Sequence, residues 1–132
     1  MSSVVVDADV VSLIFKRHSL SEKYLDALEG NQLVISFMTL AELRLWTRRR
    51  SWGPERLERF ARFLDSFAVG HSDDALCDVW SAIRDDAFAT GSVIDVADAW
   101  VAATAIYHEA LLVTHNRSHF ESVTGLKLLS FA

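Results

Sequence analysis

The chain alternates short, wholly apolar runs with longer segments whose apolar residues recur every three or four positions. Residues 4–6, 33–35 and 111–113 are β-branched or leucine runs bounded by polar residues, which is how strands buried on both faces read. Residues 126–129 predict a last strand. Between them, Leu57, Phe60, Ala61, Leu64 and Phe67 fall at helical spacing behind Pro54, a residue that helices accept in their first turn. Leu76, Val79, Trp80 and Ile83 predict a second amphipathic helix capped by Ser72. Residues 96–108 are apolar nearly all round, interrupted chiefly by Asp98 and Thr104, and predict a central helix starting behind Asp95. Strand and helix alternate, so the expected fold class is α/β: a three-layer α/β/α sandwich with a mainly parallel central sheet and right-handed crossovers. No repeat, linker or low-complexity segment divides the chain, and residues 1–132 are expected to form one domain.

In such sheets the loops leaving the carboxyl ends of the strands converge on one rim, and sites form there. Asp7 closes the first strand, and Asn116 follows the strand that runs out at Thr114. Glu42 is expected in the first turn of the helix after the second strand, and Asp98 in the first turn of the central helix. Three gathered acids suit Mg²⁺, a hard cation that takes oxygen ligands and keeps several waters. Glu42 and Asp98 would also lie at positive helix ends, where the dipole favours the ionised carboxylate.

Each acid has a structural explanation beside the chemical one. Thr39 and Glu42 have the spacing of a capping box, and Asp95 with Asp98 forms a similar pair in which Asp95 is the cap and Asp98 the reagent. Asp7 is harder to explain as structure, because a charge directly after three valines sits against the core, where an unpaired charge is expensive.

Composition narrows the remaining chemistry. Hydrophobic residues make up 51% and charged residues 23%, a globular balance well away from disorder. The single Cys77 forms no internal disulfide and suits a reducing compartment; with no basic leader and no apolar run near the ~20 residues of a membrane span, a cytoplasmic location is expected. The net charge of −5 argues against a nucleic-acid partner, but Arg44, Arg48, Arg49, Arg50, Arg56, Arg59 and Arg62 are concentrated in one segment. That run reads either as a solvated helical face, with Glu55 and Glu58 as partners, or as a phosphate-facing patch. Trp46 and Trp52 flank the densest arginines; either could stack on unpaired bases, and Trp46 also fits an apolar helix face three after Leu43. His115 and His119, four apart, could share a helix face, but no third zinc ligand is evident. His18, His71 and His108 read as surface or loop residues. No G-x-S-x-G elbow or glycine-rich phosphate loop is present, which excludes the usual routes to acyl transfer and nucleotide-triphosphate hydrolysis.

Four stretches in order, VVVDADVVSLIF, ISFMTLAEL, DVADAWVAATA and LLVTHNRSHFE, resemble the motifs of PIN-domain ribonucleases, in particular the VapC toxins of bacterial toxin–antitoxin pairs. The resemblance implies a PIN-like sandwich and a metal-dependent endoribonuclease that hydrolyses RNA phosphodiester bonds with an activated water. It makes Asp7, Glu42 and Asp98 the catalytic and metal-binding acids, with Mg²⁺ as cofactor and Mn²⁺ as the alternative. Asn116 stands where many relatives carry a fourth aspartate, which weakens a second metal position. Asp9, Asp95 and Thr114 are supporting residues, and Arg44, Arg48, Arg49 and Arg50 would hold the RNA backbone. A VapB-like antitoxin and a homodimer are the implied protein partners, with no membrane.

Two other readings compete. A catalytically weak PIN-like module would bind RNA or protein only; the presence of all three principal acids speaks against it. Three valines followed by D-x-D also resemble the nucleophile motif of haloacid-dehalogenase-type phosphatases, with Asp7 phosphorylated and Asp9 as acid/base. The rest of that pattern is missing, since Lys127 is the one lysine after Thr114 and no acidic pair follows it.

Overall fold

The computed structural model describes residues 2–132. Five strands, β1 (Ser3–Val6), β2 (Gln32–Ser36), β3 (Ala68–Gly70), β4 (Leu111–Val113) and β5 (Leu128–Leu129), form one sheet in the order β3-β2-β1-β4-β5. Every pairing is parallel. Seven helices connect them: α1 (Ala8–Phe15) and α2 (Ser21–Leu28) after β1, α3 (Phe37–Arg49) and α4 (Pro54–Leu64) after β2, α5 (Asp74–Thr90) and α6 (Val96–Tyr107) after β3, and α7 (Arg117–Phe120) after β4.

The strand alternation divides the core into two halves. Val5, Val34 and Leu112 point to one face and pack with α5, α6 and Phe120 of α7. Val4, Val6, Ile35 and Val113 point to the other and pack with α1, α2, α3 and α4. The three-layer α/β/α sandwich is therefore the period-2 pattern of three short runs, each covered on both faces. The apolar surround of α6 has the same cause: Ala99, Val101, Ala102, Ala103, Thr104 and Ala105 are all buried. Small side chains let this helix lie close to the sheet. At Gly70 of β3 an added Cβ would stand 3.0 Å from Thr104 Cγ2 and 3.5 Å from His108 Nε2. Gly70→Val should therefore push α6 outward and lower stability by about 1–3 kcal/mol, read from urea unfolding midpoints.

Several boundaries differ from the sequence reading. β3 was not expected; three residues ending in glycine are too few to carry a strand pattern. The last strand is confined to Leu128–Leu129, and α4 ends at Leu64, leaving Phe67 to be buried just before β3. The cap of α5 is Asp73, whose carboxylate accepts from Leu76 N at 2.8 Å, so Ser72 lies outside the helix. α3 starts directly from the end of β2, where Ser36 accepts from Met38 N at 3.1 Å. Thr39 is thus inside the helix, fully buried, with its Oγ1 lacking a partner among the described residues. The capping box is overturned, and Glu42 belongs to the second turn of α3 rather than the first.

Candidate active site

The chain reverses direction across the sheet between β1 and β4, because β1 leads to β2 on one side whereas β3 crosses back to β4 on the other. Loops after two such strands diverge and leave a crevice, the usual ligand site of open parallel sheets. Asp7 follows β1 and Thr114 follows β4 at that crevice.

Asp7 is 7% exposed and fixed on both oxygens. Oδ1 accepts from Ala8 N at 2.9 Å as the cap of α1, and Oδ2 accepts from Thr114 Oγ1 at 2.8 Å. Thr114 Oγ1 in turn accepts from Asn116 N at 3.1 Å, so one hydroxyl couples the end of β4 to the first acid. Asp9, in the first turn of α1, accepts from Val10 N at 2.7 Å and from His115 N at 3.1 Å. Asp98, in the first turn of α6, has Oδ2 3.1 Å from His119 Nδ1. Asp95 precedes α6 without a side-chain capping bond, so it neither pairs with Asp98 nor closes the helix as a conventional cap.

Electrostatics show that the acids share one field. Burial raises the Asp7 carboxyl above its ordinary value, against the bonds from Thr114 and Ala8 and the attraction of His119. Asp9 is pushed up to about 7 by burial, then by Asp7 and Asp98. Glu42 rises to about 7 through burial, then through the charges of Asp7, Asp98 and Asp95. Asp98 rises through burial, Asp7 and Asp95, opposed by His119. Desolvation and mutual repulsion outweigh any help from helix termini, so these carboxyls are not ready-made anions. A cation among them would reverse the balance.

The donor set fits Mg²⁺ or Mn²⁺: carboxyl oxygens from the β1–α1 junction, α3 and α6, with no thiolate or imidazole pair among the described residues to favour a softer ion. Among the described residues no three His, Cys, Asp or Glu side chains close on a common point as an all-protein cage would. His115 and His119 do not form a zinc pair. His115 lies before α7 and bonds Tyr24, whereas His119 faces Asp98.

The sequence model of the PIN domain family matches residues 4–126. The chain belongs to the PIN domain family. This membership, rather than the D-x-D spelling shared with phosphatases, decides how Asp7 is read. The chain is 24% identical over 129 residues to Ribonuclease VapC1 of Haemophilus influenzae (strain R2866), covering 93% of each. Its fold is similar to the crystal structure of VapBC2 from Rickettsia felis bound to a DNA fragment from their promoter, with a TM-score of 0.87 at 21% identity over 98% of this chain and 99% of that one. A toxin-antitoxin complex from Klebsiella pneumoniae matches with a TM-score of 0.78 at 20% identity, covering 96% of each chain.

The arginine-rich segment divides in the fold. Arg44 lines a hollow between α3 and α4 with Leu57, Phe60 and Leu64, and Arg48 lines its continuation beside Trp52. Arg49, seven residues after Glu42, lies on the helix face of Glu42 two turns on, while Arg50 caps the helix end. Trp46 and Trp52 are half-buried against the protein's own aromatic rings. Their rings meet at 4.7 Å and join Phe15, Phe60 and Phe63 in an aromatic cluster, with the Arg56 guanidinium 4.1 Å over Trp52. Sequence reasoning missed Tyr24 and His119 as neighbours of the site. No spacing signal links Tyr24 to a residue 91 positions away.

Proposed function

We propose that the chain is a metal-dependent endoribonuclease of the VapC toxin kind, in which Asp7, Glu42 and Asp98 hold Mg²⁺ and Asn116 supports them. The observation that carries this reading is one set of carboxyls, each raised by burial and, for Glu42 and Asp98, also by the charge of Asp7, at the crevice between β1 and β4. The names of the relatives, ribonuclease and toxin-antitoxin complex, agree with it. Mg²⁺ bound there supplies charge for a phosphate oxygen and a lowered pKa for a water. The protein's own part is orientation: Thr114 fixes the rotamer of Asp7, His119 holds one oxygen of Asp98, and His115 N holds Asp9. No residue here is placed as a covalent nucleophile, so the reading predicts direct hydrolysis with 5′-phosphate and 3′-hydroxyl ends. Purified protein should cut structured RNA in Mg²⁺ and stop in EDTA; cutting that persists in EDTA would remove the metal from the proposal.

A VapB-like antitoxin and a second copy of the chain complete the reading. For both, exposed apolar side chains such as Leu45, Phe88 and Val96 offer surface. No described helix is long and apolar enough to cross a membrane.

Thr114→Val tests the orienting role. Among the described residues it removes the one side-chain donor to Asp7 and leaves Oδ2 buried, so the Mg²⁺ concentration for half-maximal cleavage should rise about 10–100-fold while the fold is kept. An unchanged Mg²⁺ requirement would show that the hydroxyl does not orient the carboxylate.

A further inference from the structure

We propose that His115 is a substrate-positioning hydrogen-bond donor, its Nε2–H held toward an RNA phosphate oxygen by the buried hydroxyl of Tyr24. The inference rests on the nuclease reading for its ligand, but its geometry stands alone.

Tyr24 on α2 is fully buried, and its hydroxyl has two partners: Phe131 N donates to it at 3.1 Å, and His115 Nδ1 lies 2.5 Å away. The Phe131 amide can only donate, so it occupies an acceptor position of the phenol oxygen. If Nδ1 also carried hydrogen, two donors would converge on that oxygen and the phenol proton would have no acceptor in a buried place. Leaving a buried donor unpaired is costly. The arrangement that satisfies every group has Tyr24 Oη donating to Nδ1, which puts the imidazole proton on Nε2.

The ring is also pinned from its own backbone. His115 N donates to Asp9 Oδ2 at 3.1 Å, and the Tyr24 ring meets the imidazole edge-on at a centroid distance of 5.7 Å. Among the described residues Nε2 has no hydrogen-bond partner, and it is not fully buried. His115 lies between Thr114 and Asn116 with its amide on Asp9, at the crevice where the acids gather. A lysine or arginine in that place would ion-pair with the carboxyls and compete with the cation. A neutral N–H donor attracts a phosphate oxygen without doing so.

The experiment has two arms on the full chain. Long-range ¹H–¹⁵N spectra should show His115 with an unprotonated Nδ1 and a protonated Nε2, and Tyr24→Phe should mix the two tautomers; a proton on Nδ1 in the wild type overturns the inference. Steady-state cleavage of a short fluorogenic RNA in Mg²⁺ should show His115→Phe raising KM about 10-fold with kcat within about 3-fold, as for one hydrogen bond to a charged group, while His115→Gln recovers most of the loss. An unchanged KM in His115→Phe, with unchanged melting, overturns the RNA contact. If the wild type cuts no RNA, the nuclease reading and the phosphate contact fall together, while the spectra still decide the tautomer.

Discussion

Asp98→Asn is expected to lower RNA cleavage by roughly 10²–10³-fold, equivalent to about 3–4 kcal/mol of transition-state stabilisation, with the fold intact. Asp98 is the acid to choose because, unlike Asp7, it holds little of the structure. It sits in the first turn of α6 without acting as the cap, and its one side-chain bond is to the exposed His119. Asparagine keeps the shape and one oxygen while removing the charge that would hold the cation. The same change should stabilise the metal-free protein. Burial and then Asp7 raise the Asp98 carboxyl above its ordinary value, so its ionised form is a burden at neutral pH, and Glu42 loses one of the charges that repel it. Slower cutting together with a higher metal-free melting temperature is the paired result expected. Equal cutting by wild type and variant would show that the chemistry lies elsewhere. Asp7→Asn is less clean, because Asp7 also caps α1 and accepts the Thr114 hydroxyl.

Which of these features the sequence disclosed depends on how local their causes are. β1, β2 and β4 were legible because burial on both faces demands unbroken apolar runs, and α6 because contact with sheet and helices alike leaves almost no polar side. β3 was hidden, since an edge strand of three residues with one buried position has no pattern to show. The rim position of Asp7 and Asp98 followed from counting strands and helices. Glu42 does feel the charges of Asp7 and Asp98, but its expected place in the helix was wrong: a tight β2–α3 junction makes Ser36 the cap and moves the helix start three residues back. Asp9, expected only as a supporting residue, is as perturbed as Glu42 through burial and the neighbouring charges. The Tyr24–His115 bond, like the division of the arginines between the two sides of α3, depends on how distant elements pack, and no local spacing records that.

The metal-free protein is expected to melt at a higher temperature near pH 5 than near pH 8, and Mg²⁺ is expected to reverse much of the difference. Asp9 rises from 3.8 to about 7 and Glu42 from 4.5 to about 7 on folding. The folded chain therefore binds protons that the unfolded chain has released, and stability is lost as pH rises from about 4.5 through 7. Solvent screens the half-buried Glu42, so the contribution of Asp9 dominates. The direction is opposite to ordinary acid denaturation, in which carboxylates stabilised by partners lose them on protonation. Here the ionised carboxyls face one another. A divalent cation binds the folded arrangement far better than the dispersed unfolded one. At 100 times its dissociation constant it adds about 2.7 kcal/mol, which for a domain of this size is roughly 8–10 °C in Tm. Melts in EDTA and in saturating Mg²⁺ at pH 5, 6, 7 and 8 measure both effects. Mg²⁺ should matter least at pH 5, where protons already neutralise the cluster. A Tm that is flat with pH in EDTA, or unmoved by Mg²⁺ at pH 8, would mean that the clustered carboxyls do not form a cation site.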